Sequence, residues 1–162
     1  MTLICLLEIH MEYVKLFFTN RILISGLLGW AVAQVLKAII YIIINKELRI
    51  ERLFGDGGMP SGHSATVTAV ALSTGLSCGF DSAIFAIAFI MAIIVMHDAM
   101  GVRLETGKQA KVINDMLETF QKLGRTDVPA EQQLKEFVGH TPIQVAAGAV
   151  LGIAVALVFH FI

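Results

Sequence analysis

Apolar residues run almost unbroken through four stretches of this chain, 22–44, 61–80, 82–102 and 141–162, and polar residues collect between them. About 20 apolar residues in a helix cross a hydrocarbon layer of about 30 Å, so each stretch is long enough to span a bilayer. Inside lipid every backbone N–H and C=O needs a partner within its own segment, and that condition selects helices. The pattern predicts an all-α fold, a polytopic membrane helix bundle of about four transmembrane helices. The longest polar stretch, 103–140, carries a periodicity of its own. Val112, Ile113, Met116, Leu117, Phe120 and Leu123 recur at helical spacing with Lys111, Asp115, Glu118 and Lys122 between them, which predicts an amphipathic helix on the membrane or on the bundle. A second short helix is predicted after Thr126 or Asp127, with Pro129 in its first turn and Gly139 at its end.

Composition narrows the class. Of 162 residues 56% are hydrophobic and only 15% charged, outside the range of soluble domains, and no linker divides the chain, so residues 1–162 read as one membrane domain. The N-terminal segment, 1–20, is apolar around Glu8 and His10 but has neither a basic leader nor a small-residue cleavage site, so it is not read as a removable signal, and Met11 would serve equally as a start. Cys5 and Cys78 have no metal-type spacing and read as packing residues. A net charge of −1 without a basic tract excludes nucleic acid as an expected partner.

Charge also orients the chain. If the helices alternate, 45–60 and 103–140 lie on one face, with Lys46, Arg49, Arg52, Arg103, Lys108, Lys111, Lys122, Arg125 and Lys135, while the other face has Lys15 and Arg21. The excess of cations places the polar stretches in the cytoplasm, across the cell membrane.

Charged groups within membrane helices are costly and face a partner or a cavity. Lys37, His63, His97, Asp98, Arg103 and His140 all fall, under the same alternation, at the cytoplasmic end of their segments. Ser61 after Pro60 and Thr141 before Pro142 are helix-capping arrangements, so two helix N-termini point free N–H groups at the same level. Such a site suits an anion, phosphate above all, and Gly57, Gly58 and Gly62 let the backbone approach it. Each residue taken singly has a plainer reading. Lys37 could snorkel, Arg103 could anchor a helix end, His63 could be a polar helix-start residue, and Asp98 with Arg103 could be a structural ion pair. Their common level favours the site, because independent anchors would populate both faces.

Three blocks, "GGMPSGHSA", "DAMGVRLETGKQAKVIN" and "GHTPIQVAAG", resemble the divergent PAP2 group of the PAP2 lipid phosphatase and vanadium haloperoxidase superfamily, over most of the chain from about Gln34 onward. Pro60, Ser61, Gly62 and His63 reproduce the superfamily's PSGH motif, and His140 opens what looks like its last motif. The resemblance implies a membrane-embedded phosphatase, free of metal and cofactor, that hydrolyses a lipid phosphate or isoprenoid pyrophosphate through a phosphohistidine. His140 would be the nucleophile and His63 the proton donor, with Lys37, Ser61, Gly62 and Arg103 binding phosphate. Three positions depart from the pattern. Leu134 stands where the motif arginine is usual, six residues before His140, so Arg103 is its expected equivalent; Ile44 stands where Lys37 should be followed by arginine, which leaves Arg49 or Arg52; and Gln144 stands where an aspartate normally orients the histidine. Asp98 is the expected replacement carboxylate, with Gln144 an orienting group that carries no charge. The departures leave open an alternative, a lipid-phosphate binder or transporter with little or no turnover. A metal site from Asp98, Glu105 and Asp115 is disfavoured by loose spacing among cations. Four helices are few for the superfamily, and Gly148 and Gly152 are spaced for close helix contact, so a homodimer is a further expectation.

Overall fold

The computed structural model describes residues 3–46, 58–123, 134 and 139–162, with side chains from residue 10 onward. They form six helices: α1 (Leu3–Thr19), α2 (Arg21–Asn45), α3 (Gly62–Cys78), α4 (Ala83–Met100), α5 (Val102–Lys122) and α6 (Pro142–Phe161). No strand occurs among the described residues, and the fold is all-α as the apolar pattern predicts. The second short helix, Arg49 and Arg52 lie outside the described residues.

Capping residues set where most of these helices begin. Asn20 accepts from the backbone N–H of Ile22 and Leu23, Ser61 from Ser64 and Ser82 from Phe85. Each occupies a donor that the first turn leaves open.

α3 is the centre of the bundle, and small residues let its neighbours come close. Along α2, Gly26 faces Thr66 and Val70, Gly29 faces Ala65 and Ala69, and Gln34 faces Gly62, so the two helices run antiparallel. Along α6, Gly148 sits on Ser61 and Ser64, and Gly152 on Ala65, Thr68 and Ala69, so α6 runs parallel to α3. α4 returns antiparallel, with Thr68 Oγ1 on Met96 Sδ near one end and Gly75 beneath Phe80 and Phe85 at the other. The buried apolar residues are almost all alanines, Ala33, Ala65, Ala69, Ala92, Ala99 and Ala156 among them. In lipid, close van der Waals packing through small residues replaces a core of large side chains. Gly148 and Gly152, expected to serve a dimer contact, are spent on α3 within the chain.

Large apolar side chains point outward instead, as with Ile43, Ile44, Ile84, Ile87, Ile90, Ile94, Val150 and Val158. An apolar exterior around a small-residue interior is the arrangement a bilayer requires. Three helical stretches are long and apolar enough to cross it, Arg21–Asn45, Ala83–Lys122 and Pro142–Phe161. The fourth expected span, α3, has 17 residues and falls short of that length, because Ser61 caps its start and Gly79 ends it. The third span also differs from expectation, because only Gly101 separates α4 from the amphipathic α5.

At the end of the bundle away from the polar loops, an Arg21 terminal nitrogen donates to the Phe159 carbonyl at 2.7 Å, and its guanidinium lies 5.3 Å from the centre of the Phe159 ring. This contact ties the start of α2 to the last turn of α6.

Candidate active site

Opposite this tie, four chain segments meet around the amino end of α3. Gly58 takes φ of +83°, a conformation glycine adopts at little cost, and the aliphatic stem of Lys37 lies against it. Lys37 is 8% exposed, so it does not snorkel to water. Ser61 is fully buried; its hydroxyl caps α3 through Ser64 N–H at 3.3 Å, and its own N–H donates to the Gln144 carbonyl at 3.0 Å. That last bond joins the amino ends of α3 and α6 directly. Gly62, buried at the first position of α3, has the side chains of Trp30 and Gln34 from α2 beside it.

His140 comes to the same place from the other side. Its N–H donates to the Ala99 carbonyl at 2.9 Å, and the residue is 2% exposed. Just before it Gly139, with φ of +92°, lies flat on the backbone of Arg103 and Leu104, where any Cβ would collide. Further back, Asn114 grips the backbone of Leu134 at both ends, Nδ2 donating to its carbonyl at 2.9 Å and Oδ1 accepting from its N–H at 3.0 Å. A side-chain amide thus holds the Leu134 backbone against α5.

The imidazoles of His63 and His140 face each other edge to face, ring centres 5.9 Å apart. Gln144 Oε1 accepts from Thr141 N–H at 3.0 Å and lies 3.4 Å from His140 Nδ1. Because Thr141 supplies a proton, the Gln144 atom is the oxygen and not the amide nitrogen, and an amide oxygen can only accept. Facing that oxygen, His140 Nδ1 is the donor of the pair when it carries the ring proton. Gln144 thus stands beside the His140 ring, while Thr141 and Pro142 open α6 as expected.

Asp98 differs from expectation. Its Oδ2 accepts from Arg103 Nε at 2.9 Å, both side chains about half exposed, so this carboxylate is paired with the arginine while Gln144 stands at His140. The pair bridges the helix junction at Gly101, with its two residues five positions apart. Arg103 keeps further N–H groups beyond the one given to Asp98. His97 is exposed. Among the described residues no cluster of His, Cys, Asp and Glu is arranged to hold a metal ion, and Glu105 is paired with Lys108 instead.

Two neighbours escaped the sequence reading. Gln34 had a usable signal, since it sits three residues before Lys37 and so shares its face of α2. Asn114 had none, because its partner is the backbone of a residue 20 positions away.

The chain belongs to the Divergent PAP2 family, whose pattern matches residues 18–155. It is 40% identical over 151 residues to the protein named "Uncharacterized membrane protein YuiD" of Bacillus subtilis (strain 168), an alignment covering 88% of this chain and 96% of that one. No solved structure matches the chain.

Proposed function

We propose that the protein is a membrane-embedded phosphatase that hydrolyses a lipid phosphate or an isoprenoid pyrophosphate through a phosphohistidine. The observation that carries this reading is the pair of imidazoles from separate segments, 5.9 Å apart beside the amino end of α3. In this reading His140 carries its proton on Nδ1, against Gln144 Oε1, and attacks phosphorus through Nε2. The bond from phosphorus to the ester oxygen breaks as His63 protonates that oxygen. Lys37, the N–H groups at the start of α3 and the remaining donors of Arg103 stabilise the equatorial oxygens. Water then attacks the phosphohistidine, His63 takes its proton, and phosphate leaves. Attack requires neutral His140, so the rate falls as that ring is protonated.

The apolar exterior favours a substrate that arrives in the bilayer. The cationic polar stretches favour a plasma-membrane protein whose site opens to the cytoplasm. Gln144 gives the alternative its support: an uncharged partner stabilises an imidazolium less than aspartate does, as in a lipid-phosphate binder with little turnover.

The test is purified protein in detergent against a panel of lipid phosphates, with His140→Ala beside it. Wild type is expected to release phosphate and be inhibited by vanadate, and the variant to release none. Full activity in the variant removes the nucleophile assignment; substrate binding without turnover in the wild type selects the binder.

A further inference from the structure

α5 has two faces that differ in what covers them. One turns inward: Gly107 and Ala110 are buried, Leu104 lies beneath Gly139, and Asn114 holds Leu134. Leu117 is half-buried on the same side. The other face looks away from the chain. Val112, Ile113, Met116, Phe120 and Leu123 gather there at helical spacing, and all five are exposed, Met116 at 57% and Leu123 at 72%. Lys111, Asp115, Glu118 and Lys122 stand on the side between the two faces, with Glu118 tied to Lys122 at 2.6 Å. The apolar stripe of the sequence therefore divides, Leu117 going inward and the other five outward.

The level at which α5 starts says what the outer face meets. α4 has 18 residues, about 27 Å of helix at about 1.5 Å per residue, close to a hydrocarbon layer of about 30 Å. Its exterior, Ile87, Ile90 and Ile94 among it, is exposed and apolar, so it faces lipid. Gly101, with φ of −96° and ψ of −95°, breaks the helix where that layer ends, and α5 begins at the next residue. α5 therefore starts at the headgroups of the lipid that α4 already faces. Five side chains are far fewer than the roughly 20–30 residues a side that a stable protein interface uses, so this face is too small to hold a second copy. A bilayer surface sets no such minimum, and a helix with apolar side chains on one face and charges beside it is the form that lies in it. We propose that α5 lies along the leaflet at the candidate active site's end of the bundle, with Val112, Ile113, Met116, Phe120 and Leu123 sunk to the boundary of headgroups and acyl chains. Its inner face backs Gly139, so the helix seated on lipid also supports the segment that delivers His140. The proposal does not depend on the phosphatase reading.

The test is spin-label accessibility in the full chain in nanodiscs. Cys5 and Cys78 are replaced by serine, and single labels are placed through Met116→Cys, Phe120→Cys and Lys111→Cys, with Ile90→Cys on α4 as the lipid reference. Labels at 116 and 120 are expected to meet oxygen, which concentrates among acyl chains, severalfold more than a water-soluble nickel chelate, as at residue 90. The label at 111, about 140° around the helix from 116, should show the reverse. Nickel access at 116 and 120 equal to that at 111 places the face in water, and exclusion of both probes there places protein over it; either result overturns the proposal. Circular dichroism checks that each labelled variant is folded, and Val112→Cys replaces Met116→Cys if that protein is not.

Discussion

Replacing Gly148 with alanine should separate the two halves of the candidate active site. A Cβ at residue 148 would lie 2.9 Å from Ser64 Cβ and 3.1 Å from Ser61 Cβ, and inside contact distance of the Ser61 carbonyl oxygen. Non-bonded carbons rest at about 3.5–4 Å, so α6 must withdraw from α3 by about 1 Å at this level. The first casualty is the 3.0 Å bond from Ser61 N–H to the Gln144 carbonyl, which at about 4 Å no longer exists. His140 remains tied to Ala99 on α4 and shifts relative to His63, which rides on α3. Overpacking of this kind costs about 1–3 kcal/mol of stability, and a displacement of about 1 Å between reacting groups costs about 100-fold in turnover. The assay is phosphate release by detergent-solubilised protein, with His140→Ala as the zero and thermal unfolding of the same samples. Gly152→Ala is the companion, since its Cβ would meet the Ala65 carbonyl oxygen at 2.5 Å and Ala69 N at 3.0 Å one turn further from the histidines. It should lose similar stability and far less turnover. Wild-type turnover in Gly148→Ala, or equal losses in both variants, would refute the claim that this contact positions the histidines.

Two further outcomes are expected. Asn114→Ala removes both bonds that hold Leu134, so kcat should fall severalfold with KM little changed and helix content by circular dichroism intact; unchanged kcat would mean that the grip does not reach His140. Arg21→Gln loosens the tie to Phe159 at the far end of the bundle, so the unfolding midpoint should fall by a few degrees while phosphate release at low temperature stays at the wild-type level. A loss of activity there would show that the two ends are coupled.

The apolar stretches and their polar interruptions determined, by themselves, that the chain is helical and lies in a membrane, because a bilayer admits little else. Ser61, Ser82 and Thr141 were legible as helix starts, since a cap is a local bargain between a side chain and the N–H groups just after it. The PSGH stretch and His140 could be singled out for the same reason, as residues whose type is costly where they stand. The length of α3 could not be read from hydropathy, because the apolar run continues through residues that the cap at Ser61 and the glycine turn at Gly79 exclude. Partners were decided only in three dimensions. Asp98 was expected to support His140 and is paired with Arg103, which stands just across the junction at Gly101. Gly148 and Gly152 were spaced for contact, but only the packing of α6 on α3 shows what they contact. Gln34 likewise comes against the start of α3 only once α2 lies antiparallel beside it: a sequence names a hydrogen-bonding group, and the assembled fold decides what stands next to it.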